Sequence, residues 1–391
     1  MKLLEVNNSA SRQAFFELPK ELYRNDPNFI CPLQPDIERV FDKEKNRKFR
    51  KGGEAIRWIL QDEGGRCIGR IAAFIDPNNS FSSKIPCGGM GFFECINEQK
   101  TANMLFDTAR NWLSEKGMQA MDGPINFGER NQWWGLLVDG FMPPAYCMNY
   151  NPPYYKNLFE QYGFQCYFKQ YTYYRSVGTT LHKKFKIKAE AAFANPNFRF
   201  EHIRKKNIPQ LIKDFRTVYN KAWGSKHKGF KEMSERQAAA IINGMKPVID
   251  ERIIYFGYYK DEPIAFFVCL PELNQIVKHL NGNFNLWSKL KFWYMLKTQK
   301  SDRMFGVIFG VAPEYHGKGI EGALITAAYN MLRIGQNSFL YKDIEMTWIG
   351  DFNPKMLKVV HNLGATVYKT HITYRKLFDE NQIFERYPIL D

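Results

Sequence analysis

The sequence predicts an α/β (α+β) fold built by tandem duplication of one unit, with mixed central sheets and flanking helices. Three observations predict it. Stretches with the period-two alternation of strands are interspersed with stretches of helical period. They recur in the same order in the two halves of the 391 residues. Each half also closes on a near-copy of one segment, which starts with Asn-Pro and ends in Tyr-Arg.

The elements follow in order. Residues 57–60 and 67–75 flank Gly64-Gly65, and residues 252–259 and 264–270 flank a turn at 260–263, so each half begins with a hairpin. An apolar strand comes next, at 90–94 and at 304–311. The helix at 102–113 carries Ala102, Leu105, Phe106, Ala109, Trp112 and Leu113 on one face, and its counterpart is 319–333. The closing copies are NPPYYKNLFEQYGF (151–164) and NPKMLKVVHNLGA (353–365). In each, Asn is a good helix N-cap, Pro suits the first turn and Gly suits the helix end. An alternating strand follows each. In the second half, Ile208, Leu211, Ile212, Phe215 and Tyr219 mark a first helix behind an Asn207 cap. The expected domains are 1–178 and 198–391, with 179–197 as a linker, basic in its first half.

Hydrophobic residues at 45% and aromatics at 16% are enough for packed cores. The net charge of +15 attracts nucleic acid, anionic lipid or phosphorylated ligands, and does not choose among them. No recognised nucleic-acid motif accompanies the basic runs, so no nucleic-acid partner is expected. The 7 cysteines form no C-x-x-C pair and lie at no metal-ligand spacing with the 7 histidines, so reduced thiols in the cytoplasm and no metal are expected. The start MKLLEVNNSASRQ lacks the apolar core of a signal peptide, and no apolar run is long enough to span a bilayer.

The chemistry-bearing segment is FGVIFGVAPEYHGKGIEGALITAAYNMLR, from Phe305. A strand runs into Tyr315-His316-Gly317-Lys318-Gly319 and then a helix. The two glycines let the backbone turn tightly against a ligand. Backbone N–H groups at the positive helix end then form a pyrophosphate cradle, and Lys318 adds a cation. The matching stretch of the first half, GFFECINEQKTANML, has no glycine between Cys95 and Lys100 and carries Glu94 and Glu98, which repel phosphate. One cofactor site is therefore expected.

This segment resembles motif A of the GNAT superfamily of N-acyltransferases, with Glu314 where that family usually has Gln or Arg. Further stretches, among them ELYRNDPNFICPLQ, GPINFGERNQWWGLLVDGF, LPELN and MTWIGDFNPKM, make nearly the whole chain similar to the tandem GNAT family of YghO-like bacterial proteins, which includes bacterial ceramide synthases. The resemblance implies a tandem GNAT fold and acetyl-CoA or long-chain acyl-CoA as co-substrate. It implies cofactor contacts at Phe309, Val311, Tyr315, His316, Gly317, Lys318, Gly319 and Asn353. It also implies that the thioester lies in a gap between 309–311 and 345–348, and that the acceptor is a small-molecule or lipid amine such as a sphingoid base.

N-acylation needs a base for the amine and an acid for the leaving thiolate. The family's usual acid, a Tyr four residues before the last helix's Gly, is replaced by Val360 here. His361 is its neighbour and a candidate. Glu345, at the start of the strand next to the cofactor strand, is the favoured base and Asp351 the second. In the first half, Glu129, Arg130, Asn131, Trp133 and Trp134 form a polar-aromatic cluster that would suit the wall of an acceptor pocket. Rival readings are an N-acetyltransferase for small polar amines and a non-catalytic CoA-binding module. The insertion NLWSKLKFWYMLKTQK (285–300) reads either as a helix packed on the core or as an interfacial helix. The second reading puts the chain at the inner face of the cell membrane.

Overall fold

The computed structural model describes residues 1–81, 84–180, 183–224, 231–298, 300–335 and 338–390. The first half runs β1 (Lys2–Glu5), α1 (Ser9–Leu22), α2 (Gln34–Phe41), β2 (Glu54–Gln61), β3 (Cys67–Ile75), α3 (Pro77–Ser80), β4 (Cys87–Cys95), α4 (Gln99–Glu115), β5 (Ala120–Gly123), β6 (Leu136–Asp139), α5 (Tyr155–Gln161) and β7 (Gln165–Ser176). Helix α6 (Lys183–Ala194) follows. The second half runs β8 (Phe198–His202), α7 (Ile208–Gly224), α8 (Glu235–Met245), β9 (Ile254–Tyr259), β10 (Glu262–Pro271), α9 (Asn274–Val277), α10 (Leu286–Lys297), β11 (Arg303–Val311), α11 (Ile320–Leu332), β12 (Asp343–Gly350), α12 (Pro354–Asn362) and β13 (Thr366–Leu377).

Both predicted hairpins form, β2–β3 and β9–β10. The second turns through Lys260 and Asp261, both at positive φ (47° and 65°), which matches the twist of the flanking strands. One hydrogen bond marks the internal repeat. Ile96 N–H donates to Ile68 C=O at 3.1 Å, and Ala312 N–H donates to Ile264 C=O at 2.8 Å. Each bond lies just past the end of the central strand of its half. Helix α7 runs on directly from a 3-10 turn, Lys205–Asn207, where a simple Asn207 cap was expected.

The halves share one sheet. Among the described residues its strand order is β1-β2-β3-β4-β5-β13-β7-β12-β11-β10-β9-β8, with β6 also paired to β13. The closing strands are exchanged: β13 lies against β5 of the first half, and β7 against β12 of the second. They pair antiparallel with each other from Thr366↔Tyr174 to Arg375↔Gln165. Helices cover both faces. Leu105, Phe106, Ala109 and Leu113 of α4 lie in one first-half core, and Phe15 and Phe16 of α1 lie in another.

The stretch 179–197, read as a linker, folds into α6, although residues 181 and 182 lie outside the described ones. Ala189 and Ala192 of α6 are buried against Ile320, Ala323 and Leu324 of α11. All seven cysteines are free.

Candidate active site

The cradle forms as its sequence requires. Strand β11 leads through the 3-10 turn Pro313–Tyr315 to Gly317 (φ 77°) and Gly319 (φ 82°), and Gly319 caps α11 without any side-chain bond. The first N–H groups of α11 therefore have neither an intrahelical partner nor a side-chain cap. The two glycines do different work. A Cβ at Gly317 would meet nothing within 4 Å, so that face is open. A Cβ at Gly319 would stand 2.3 Å from the Lys188 carbonyl oxygen, so this glycine admits the backbone of α6. Lys188, whose Cβ is 3.0 Å from that same point, thus begins at the cradle's edge. Lys188 belongs to the basic first half of the stretch 179–197, expected to be a linker. Lys318 lies over the Tyr315 ring at 5.0 Å. His316 is exposed, and its Nε2 is 2.9 Å from the Val311 carbonyl, which ties the loop back to the strand.

Below the cradle the sheet forks. β11 pairs with β10 up to Val311, but its parallel pairing with β12 covers only Arg303↔Asp343 to Gly306↔Met346. Beyond Gly306 and Met346 the strands part; Glu345, which the resemblance put at the gap, is still paired opposite Phe305. A cavity of about 130 Å³ lies here between α11 and α12. Phe309, Ile308 and Gly306 line it from β11, Met346 and Ile349 from β12, and Val360 from α12. It continues to Met304, Ile344 and Leu332, below the point where the strands rejoin. Arg175 of the first half's β7 and Val177 just past that strand complete it, with the guanidinium held by the Leu363 and Thr179 carbonyls. Val360 is a wall of this cavity, while His361 is exposed on α12, so His361 is poorly placed to protonate a thiolate. Among the described lining residues one phenol appears, Tyr329. Asn353 caps α12, accepting from Met356 N–H at 3.2 Å.

Side chains alternate along a strand. Ile344 and Met346 face the cavity, so Glu345 faces the opposite side of the fork. It is 1% exposed and its Oε1 accepts from Lys369 Nζ at 2.5 Å, with Arg303 Nη1 3.6 Å from Oε2. The favoured base is thus locked in a buried ion pair. Burial pulls the Lys369 ammonium below its usual range, against the opposing charge of Glu345. Beside them lies a residue not singled out from sequence, Glu272 of the LPELN stretch. Its Oε1 accepts the N–H groups of Tyr146 and Asn274, each at 2.9 Å, and its buried Oε2 has no partner. Burial, and then the charge of Glu345, push its carboxyl up to about 7. Nothing in its own sequence context separates Glu272 from a capping carboxylate. Asp351, the second candidate base, is 2.5 Å from Arg386 and serves to hold the C-terminal tail.

The first-half cluster reaches this same face of the fork. Trp348 of β12 donates its Nε1–H to the Arg130 carbonyl at 3.0 Å, and Arg130 lies 5.6 Å over the Trp134 ring. Glu129 and Asn131 are exposed, and Trp133 is buried with its backbone N–H donating to the Cys147 carbonyl at 2.7 Å. The indole Nε1 atoms of Trp133 and Trp134 are buried without partners. A second cavity, about 60 Å³, is lined in part by Trp133, Tyr146 and Asn274, so it abuts the groups that hold Glu272.

The first half has its own fork, because β4 pairs with β5 only from Cys87↔Ala120 to Gly89↔Asp122. Side chains fill it. Tyr155 O–H accepts the Cys95 N–H at 2.8 Å, and Tyr154 O–H donates to the Cys95 carbonyl at 2.7 Å. Glu94 is bound by Tyr23 and Tyr155 and lies 3.3 Å from Arg70. At the head of α4, Glu98 occupies the N-cap, a carboxylate where a phosphate would have to sit.

No family model matches the chain. Two curated proteins are similar over almost its whole length. Protein YghO of Escherichia coli (strain K12) is 26% identical over 94% of this chain and 93% of its own. The bacterial ceramide synthase of Caulobacter vibrioides (strain NA1000 / CB15N) is 26% identical over 96% of this chain and 97% of its own. Among solved structures, a tandem GNAT protein from the clavulanic acid biosynthesis pathway superposes with a TM-score of 0.55 at 9% identity, covering 97% of this chain and 99% of its own. A GCN5-related N-acetyltransferase from Sphaerobacter thermophilus gives 0.51 at 8% identity, with 98% of each chain covered.

Proposed function

We propose that this chain, which has a tandem GNAT fold and is similar to YghO and to a bacterial ceramide synthase, transfers a long-chain acyl group from acyl-CoA to the amine of a hydrophobic acceptor such as a sphingoid base. The observation that carries the acyl chain length is the cavity beyond the fork. An acetyl group needs no space below Gly306 and Met346, yet the apolar lining continues to Met304, Ile344 and Leu332. Apolar walls favour methylene groups at about 0.8 kcal/mol each. The name of the similar ceramide synthase supports the acceptor class. A lipid amine resides in a bilayer, so this function carries with it a peripheral position at the inner face of the cell membrane.

The pyrophosphate would lie on the N–H groups heading α11, with Lys318 and Lys188 as cations, and the pantetheine arm would descend along Phe309 and Val311. The amine would approach from the face that carries Glu345, Glu272 and the Trp133–Trp134 wall. Attack by the neutral nitrogen forms the amide bond and breaks the carbon–sulfur bond. Glu272, with a carboxyl poised near neutral pH, takes the ammonium proton, while Glu345 stays paired to Lys369 and sets the local charge. Tyr329 is the phenol available to return a proton to the thiolate.

A thiol-release assay tests the whole proposal. With sphinganine as acceptor, palmitoyl-CoA is expected to exceed acetyl-CoA in kcat/KM by about a hundredfold, given several buried methylenes. A preference for acetyl-CoA, or for a small polar amine, would sink it.

A further inference from the structure

We propose that α10 is a docking face that seats the protein on an anionic lipid membrane. This deepens the function proposed above and rests on it for what is collected there. The helix is inserted between β10 and β11 and is capped by Asn285, whose side chain accepts from Ser288 N–H at 2.9 Å.

It is apolar on two sides. Phe292 is buried among Leu273, Ile276, Val277 and Leu280, with Met295 and Leu296 packed on the same cluster. These residues account for the imperfect amphipathic pattern, because they anchor the helix to the core. The other side faces water: Leu286 is 70% exposed, Trp287 78%, Leu290 54%, Trp293 39% and Tyr294 66%. Their spacing puts them on one outward stripe. An unpartnered stripe of large apolar and aromatic side chains marks an interaction surface.

Charge selects the partner. From residue 273 to 300 the chain carries Lys278, Lys289, Lys291, Lys297 and Lys300, and neither Asp nor Glu. All five lysines are exposed. Tryptophan and tyrosine rimmed by lysine suit the headgroup layer of an anionic bilayer. Among the described residues no helix is long and apolar enough to cross a membrane, so α10 would lie in the interface plane. Its position fits the collection of a lipid amine. Ile30 and Leu33 belong to the cluster under α10 and also line the first-half cavity, and Tyr146 packs on that cluster and holds Glu272.

The test uses the full chain with vesicles of phosphatidylcholine, with or without phosphatidylglycerol, and no acyl-CoA or amine. Co-sedimentation and tryptophan fluorescence are expected to report binding to the anionic vesicles. Trp287→Ser combined with Leu290→Ser should weaken it by about tenfold or more. Lys289→Glu with Lys291→Glu should weaken binding to anionic vesicles alone. The four side chains are exposed, so melting temperatures should hold. Docking is overturned if the wild type ignores anionic vesicles, or if the serine variant binds them as well as the wild type. It is also overturned if the serine variant instead dissolves a dimer seen by ultracentrifugation. Acyl transfer measured separately in detergent micelles can stand when docking fails, and docking can stand when transfer fails.

Discussion

At the scale of single residues, Glu272 concentrates the chemistry. A carboxylate with one unpartnered oxygen, buried beside a second carboxylate, holds its proton far more tightly than in water. The folded protein keeps this proton up to about 7, whereas the unfolded chain releases it near the ordinary 4.5. Stability contributed by the neutral form is thus complete below 4.5 and is lost as pH rises through that window, by up to roughly 3 kcal/mol. Glu272→Gln should flatten this dependence, leaving a variant at least as stable as wild type at pH 8 in a thermal melt. If Glu272 is the base, the same substitution should lower kcat by about 100-fold or more. A melt profile that keeps its acid-side gain in the variant would assign the titration to another group. The candidate base Glu345 was legible from its place on β12. Its lock was not, because Lys369 lies on β13, which the sequence order assigns to the far end of the same half.

At the scale of elements, the glycine loop, its strand and its helix were all legible, since local spacing alone dictates a strand, a tight turn and an uncapped helix end. Helix α6 was not. Its first residues are basic and its apolar positions are mostly alanine, a weak hydrophobic signal that reads as a connector. What makes it an element is the missing side chain at Gly319, which lets two backbones touch. Lys188 thereby becomes a candidate phosphate contact. Lys188→Glu should raise the KM for acyl-CoA by about tenfold with little change in kcat, because a ground-state charge contact is removed. An unchanged KM would leave α6 a purely structural cover. The same level shows why neither position 360 nor its neighbour supplies the thiolate acid. Position 360 packs into the cavity, so a valine there widens the slot while its exposed neighbour, His361, faces away from it.

At the scale of the whole molecule, the duplication was legible but the exchange of closing strands was not. Pattern and spacing place β7 and β13 at the ends of their halves. Only long-range pairing puts each against the other half's sheet, and both alternation patterns suit either partner. The boundary expected between residues 178 and 198 therefore separates two sequence units that share one hydrogen-bonded sheet. Fragments 1–180 and 181–391 should each fail to fold alone, as judged by circular dichroism and proteolysis, and should regain structure when co-expressed. Two independently folding fragments would contradict the shared sheet.

The exchanged strands also set an order of events during synthesis. Strand β5 ends at Gly123, and its neighbour β13 does not begin until Thr366. At typical elongation rates of about 5–20 residues per second, the first half waits on the order of ten to fifty seconds for the strand that covers its edge. Throughout that interval the ribosome-bound chain presents an open β-edge at β5. Such an edge is a template for mispairing with other nascent chains. This protein is then expected to depend on the machinery that shields emerging polypeptides more than either half's size alone would suggest.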